Sequence, residues 1–108
     1  MYAINLESAV EENWEGMPFR ALLPAAIGSG LEIYQLTVTH PNPHVHDDYD
    51  QVYIIESGRG TMQIGDEQQV VGPGHVIHIP RGQRHALAPL DGSPVRLYSI
   101  IHHLTATG

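Results

Sequence analysis

Glycine and proline cut this chain into apolar runs that are too short to build a helical core. From Leu31 onward the runs are Leu31–His40, Gln51–Glu56, Thr61–Ile64, Gln68–Val71, Val76–Ile79, His85–Ala88 and Val95–His103. Between them stand Pro41-Asn42-Pro43, Ser57-Gly58-Arg59-Gly60, Gly65-Asp66, Gly72-Pro73-Gly74, Pro80-Arg81-Gly82 and Pro89 with Asp91-Gly92. Short runs rich in β-branched residues and closed by Gly or Pro predict strands. About eight such strands and no long helix predict an all-β chain. A jelly roll or small closed barrel suits that number, and closure also removes exposed sheet edges.

Residues 1–30 lack this texture and predict an irregular N-terminal arm ahead of a barrel at 31–108. Gly16, Pro18, Pro24, Gly28 and Gly30 leave no room for a long helix, and Ser8-Ala9-Val10-Glu11 has the pattern of a capping box that starts one short helical turn. The arm holds the only Trp and Phe of the chain, Trp14 and Phe19, with Met17 between them. These residues either plug the barrel or cover a second subunit.

The 108 residues suffice for one compact domain. Twelve carboxylates face five basic side chains, all of them Arg, for a formal charge of −7. A nucleic-acid partner needs Lys/Arg patches, so none is expected. Without Lys there is no Schiff-base chemistry, and without Cys there are no disulfides, thiolate nucleophiles or iron–sulfur clusters. No apolar run is long enough to cross a bilayer as a helix and no secretory pattern opens the chain, so the expectation is a cytoplasmic protein with no membrane partner.

Eight histidines are the chemical signature of the sequence. His44-Val45-His46 follows two prolines that favour an extended backbone, and residues i and i+2 of an extended segment share a face. Both imidazoles can therefore reach one metal ion, although a lone pair of this kind also describes an exposed surface.

The flanking residues add to this reading. His44-x-His46 is followed by four residues, Gln51, six residues and Gly58; further on come Gly74, five residues, Pro80-Arg81-Gly82, two residues and His85. These two series resemble the two motifs of the cupin superfamily, small double-stranded β-helix barrels. Gln51 stands where the family's first motif has glutamate, and Pro89 where its second has asparagine. The resemblance covers roughly residues 31–104 and implies one divalent transition metal (Zn, Ni, Mn or Fe) held by His44, His46, Gln51 and His85. It also implies a homodimer. The ligand spacing is similar to that of pectin-degradation cupins that convert unsaturated uronates to linear ketones. Those enzymes place an acidic residue and an Arg near the last strand, where this chain has Ser99-Ile100-Ile101-His102-His103.

An amide oxygen at Gln51 cancels none of the ion's charge. Four neutral ligands would leave a Lewis acid that favours a small anionic substrate, as in sugar-acid isomerases and lyases. The alternatives are an iron-dependent dioxygenase and a non-catalytic small-molecule binder. Asp50 is the competing fourth ligand, but turning it inward would turn Tyr53 outward and Ile54 inward. Ligating imidazoles must be neutral, so metal should be lost below about pH 6.

Around the implied centre, His78, Tyr53 and His102 are the candidate catalytic groups. His78 reaches the cavity if its face of Val76–Ile79 is the inner one, Tyr53 if Gln51 does, and alternation puts either His102 or His103 inside. Each has an equally simple structural reading, as a core or surface residue. His75 reads as a turn residue and His40 as a strand end. Asp47-Asp48-Tyr49-Asp50 either steers a cation or forms a solvated loop. Arg20, Arg81, Arg84 and Arg96 are candidate carboxylate clamps or surface ion-pair partners.

Overall fold

The computed structural model describes residues 1–103; the end of the predicted barrel span, 104–108, lies outside them. The described residues form nine strands and two short 3-10 turns. The strands are β1 (Glu11–Trp14), β2 (Met17–Leu23), β3 (Leu31–Val38), β4 (Asp50–Ser57), β5 (Gly60–Ile64), β6 (Glu67–Val71), β7 (Val76–Ile79), β8 (His85–Pro89) and β9 (Val95–His102). They build a six-stranded sheet of order β1-β2-β3-β9-β4-β7 and a three-stranded sheet of order β6-β5-β8. Every pairing is antiparallel. The fold is the all-β jelly-roll barrel that the turn spacing predicts.

Alternation decides what faces the core. On β9, Val95, Leu97, Ser99 and Ile101 are buried while the residues between them are half-exposed. On β4, Gln51, Tyr53 and Ile55 point inward. With Val38, Met62, Val71, Ile79 and Leu87 from the neighbouring strands, Ile55, Val95 and Leu97 close the apolar end of the barrel. Gly58 seals this end. Its φ is +83°, and a Cβ there would stand 2.3 Å from the Pro94 carbonyl oxygen, so the β4–β5 turn has no space for a side chain.

The N-terminal region departs from the sequence reading. Residues 11–23 are a β-hairpin joined to β3, with Phe19 opposite Leu36 and Ala21 opposite Tyr34. Its two-residue loop, Glu15-Gly16, has positive φ at both positions, 50° and 83°, and the Asn13 side chain accepts from Gly16 N–H. Such a loop matches the natural twist of a hairpin. The capping box at Ser8–Glu11 does not form. The 3-10 turn runs from Leu6 to Ser8, Asn5 caps it by accepting from Glu7 N–H, and Glu11 opens β1.

Candidate metal centre and its cavity

His44 and His46 lie in the extended segment between β3 and β4 rather than in a regular strand, and they do share a face, with Val45 pointing to solvent between them. Backbone pairing carries the second motif to the first. His44 and His85 form an isolated bridge, and Gly82 N–H donates to the His46 carbonyl at 2.6 Å. One ligand atom from each of His44, His46 and His85 lies within 4.8 Å of the others.

The outer nitrogens of the three rings are already committed. His44 Nδ1 lies 2.6 Å from the Asn42 carbonyl and His85 Nδ1 lies 3.1 Å from the Gln83 carbonyl. A carbonyl only accepts, so each Nδ1 carries the hydrogen and each neutral ring presents the lone pair of Nε2. His46 Nδ1 shares a hydrogen bond of 2.8 Å with the Tyr49 hydroxyl, and the Tyr49 ring stacks on the imidazole. Metal-binding histidines are held in this way in general, with the second nitrogen fixing tautomer and ring orientation.

Among the described residues, neither His85 Nε2 nor Gln51 Oε1, both buried, has a hydrogen-bond partner. Gln51 is 5% exposed, and its amide nitrogen donates to Ser99 Oγ at 2.7 Å, which leaves the oxygen free. An unpaired buried polar atom costs free energy, and a cation supplies what both atoms lack. The three converging imidazole nitrogens therefore fit a divalent transition metal, and the Gln51 oxygen, on a residue that lines the same cavity as His44 and His46, is the candidate fourth donor. Asp50 is not part of it. It faces the other side of β4, where it accepts from Arg81 and bonds His78, and these contacts hold its carboxyl at about 2.

Burial disfavours charge on the imidazoles. It pushes His85 down to about 4, with the neighbouring His44 and His46 acting in the same direction, and it lowers His46 as well. Both shifts favour the neutral imidazole, the form that binds metal.

A cavity of about 450 Å³ opens beside His44 and His46. His85 lies behind them, 2% exposed and edge-on to Tyr53. Trp14, Met17 and Phe19 of the hairpin line the cavity, and the Trp14 ring meets His44 edge-on at 5.8 Å. Trp14 and Phe19 therefore wall the cavity of their own chain. Tyr53 lines it too, as Gln51's inward face requires.

His78 and His102 do not join the site. The inward residues of β7 are Ile77 and Ile79, opposite Tyr53 and Gln51; His78 pairs with Val52 on the outer face, where it is exposed and bonded to Asp50. His102 shares the outer face of β9 with Tyr98 and Ile100. None of the four candidate clamps, Arg20, Arg81, Arg84 and Arg96, lines the cavity. Arg81 pairs with Asp50, and Arg96 with Glu56. His75 is the turn residue its position suggests, with its ring against the Gly72 backbone.

The sequence reading missed Glu32, Tyr34 and Tyr49. All three line the cavity, and Glu32 accepts hydrogen bonds from Tyr34 and His103. Parity along β3 carries the signal: Glu32, Tyr34, Leu36 and Val38 share one face, and Val38 belongs to the core.

Comparison with known proteins agrees with this architecture. The chain is 30% identical over 115 aligned positions to the uncharacterized protein YrkC of Bacillus subtilis, covering 92% of this chain and 55% of YrkC. It is 27% identical over 82 positions to vicilin C72 of Gossypium hirsutum, covering 68% of this chain and 14% of the vicilin. It thus spans about half of one relative and a small part of the other. Among solved structures, a predicted oxalate decarboxylase from Thermotoga maritima superposes with a TM-score of 0.85 at 14% identity, covering 95% of this chain and all of that one; this likeness speaks for the fold alone. Residues 33–101 match the Cupin domain family, the segment that carries all three converging histidines and both Gly/Pro motifs, and so the chain belongs to the cupins.

Proposed function

We propose that this cupin binds one divalent metal through His44, His46, His85 and Gln51 and is an enzyme of the isomerase or lyase type. Its substrate is a small molecule that presents an anionic oxygen, such as a carboxylate, to the ion. The observation that carries the reading is the pair of orphaned buried atoms, His85 Nε2 and Gln51 Oε1, beside two imidazoles whose free nitrogens face the same space. When bound, the ion would act as a Lewis acid on a substrate oxygen, with its charge undiminished by neutral ligands. The protein's share is the walled cavity. Trp14, Phe19 and Leu36 form an apolar wall on one side, and no arginine is among the described lining residues, so the ion would be the cationic partner of a substrate carboxylate.

The test begins with elemental analysis of purified protein and of His85→Ala. One equivalent of metal in the wild type, lost in His85→Ala, is the expected result; unchanged stoichiometry in the variant defeats the ligand assignment. Assays for loss of an unsaturated uronate, and for oxygen uptake with thiols and flavonols, then separate isomerase or lyase chemistry from oxygenase chemistry. Retained metal with silence in both would indicate a binder.

A further inference from the structure

The cavity contains one charged group that the metal centre does not use. Among the described residues, Glu32 is the one side-chain carboxylate in its lining, and no Arg joins it there. Tyr34 Oη–H donates to Glu32 Oε1 at 2.5 Å and His103 Nε2–H donates to Oε2. Each carboxylate oxygen thus accepts from one donor and keeps a lone pair.

Sheet register places this group relative to the centre. Glu32 lies opposite Ile101 on β9, and Gln51 lies opposite the same Ile101 from the other side; Tyr34 and Tyr53 flank Ser99 in the same way. All six residues line the cavity, so they share the inner face. Glu32 and Gln51 are separated by two strand spacings, roughly 10 Å between backbones. Both side chains line the same cavity of about 450 Å³, with the Ile101 position of β9 between them.

We infer that Glu32 is the catalytic residue that takes and returns a substrate proton in this cavity, and that the substrate is a carbonyl acid with an acidic C–H and an apolar body. The inference deepens the isomerase or lyase reading above and rests on it. In the step, the Glu32 carboxylate removes a proton from the carbon next to the carbonyl. The C–H electron pair becomes the C=C bond of an enolate, and the carbonyl oxygen takes the charge. The protonated Glu32 then returns the proton to that carbon or to its conjugated neighbour, so that atoms and electrons balance without a co-reactant. The apolar body of the substrate lies against the largely apolar wall of Trp14, Phe19 and Leu36.

Phenylpyruvate is a suitable probe, because it carries a carboxylate, a ketone, an acidic benzylic C–H and an apolar ring. Exchange of that hydrogen for deuterium in heavy water is followed by proton NMR, with zinc-loaded and with metal-free protein. The loaded wild type should accelerate exchange, and Glu32→Gln should lose about 10²- to 10⁴-fold of that acceleration, the usual worth of a positioned acid or base. Zinc uptake and melting temperature should stay at wild-type values in the variant. Equal exchange in wild type and Glu32→Gln, or no acceleration by the loaded wild type over solution, overturns the inference. Should Glu32→Gln melt early, Glu32→Asp carries the test, since it keeps the charge and shortens the reach; its rate must then fall below that of the wild type. The two readings fail separately. Zinc binding without exchange leaves the metal centre and removes Glu32, whereas Glu32-dependent exchange in a protein that takes no zinc does the reverse.

Discussion

His44 and His85 donate to each other's backbone, His44 N–H to the His85 carbonyl at 3.1 Å and His85 N–H to the His44 carbonyl at 2.9 Å, and their rings lie 4.2 Å apart. Main-chain bonds rather than side-chain flexibility thus set the spacing of the two imidazoles. The bridge also explains why two motifs distant in sequence act as one site. The Pro80–Gly82 turn docks on His46 through Gly82 N–H, and the next few residues bring His85 alongside His44. The three rings are held together with their second nitrogens already occupied by Asn42, Tyr49 and Gln83.

Acid should destabilise the metal-free protein through His85. In the fold this ring titrates at about 4 because it is buried, whereas in the unfolded chain it titrates near ~6.5. Between those values the unfolded chain binds a proton that the folded chain does not, so stability falls as pH falls through that window. Below about 4 both states are protonated and the loss levels off. His46, lowered for the same reason, adds to the trend. Melting temperatures of chelator-treated protein should therefore drop from neutral pH to about pH 4.5, and less steeply in a variant without the ring, His85→Ala. An equal slope in both would show that His85 is not the titrating group.

Metal should raise the melting temperature, because the proposed site is assembled only in the folded chain. At a free metal concentration of about 100 Kd the stabilisation is about 2.7 kcal/mol. For a domain of this size that corresponds to roughly 10 °C or more. Calorimetry with added zinc, and again with excess chelator, measures the difference directly.

Gln51→Glu should move affinity and apo stability in opposite directions. The Gln51 amide is buried between the cavity and Ser99, and its oxygen lacks a partner. A carboxylate there is a buried charge without a cation, so the metal-free variant should melt earlier than wild type by several degrees. With a divalent ion present the same carboxylate cancels one unit of charge, and metal affinity should rise by at least tenfold. Titration calorimetry and melting curves on the one variant read both effects.

The alternation of β4 was legible from its residues: with Gln51 inward, Tyr53 and Ile55 must follow, and they do. The same period-two logic could not choose a face on β7 or at the end of β9, because Val76-Ile77-His78-Ile79 and Ile100-Ile101-His102-His103 offer apolar residues to both faces. Pairing with β4 decides β7, since Ile77 and Ile79 sit opposite Tyr53 and Gln51 and leave His78 to solvent. The hairpin of β1 and β2 was hidden for another reason. Glu11-Glu12-Asn13-Trp14 is exposed along its whole length, so burial leaves no alternating pattern, and Pro18 sits inside β2 at a position where the sheet does not exclude it. Glu32 is hard to single out from sequence, because a charged residue inside a run of apolar ones reads as its solvent face. Here it is an inner position, stabilised by Tyr34 and His103.

Tyr49→Phe should weaken the metal centre without touching a ligand. The Tyr49 hydroxyl is the only hydrogen-bond partner of His46 Nδ1 among the described residues, and its ring stacks on the imidazole at 4.7 Å. Phenylalanine keeps the stacking and removes the hydrogen bond, which frees the ring to rotate and to change tautomer. Outer-shell losses of this kind typically cost 10- to 100-fold in metal affinity. The fold should be indifferent, because Tyr49 precedes β4 and contributes no strand pairing. A competition titration against a chromophoric chelator, run alongside the melting curve of the metal-free variant, separates the two effects. An affinity drop with an unchanged apo melting temperature is the expected pair of results, and wild-type affinity would show that His46 is oriented by its backbone alone.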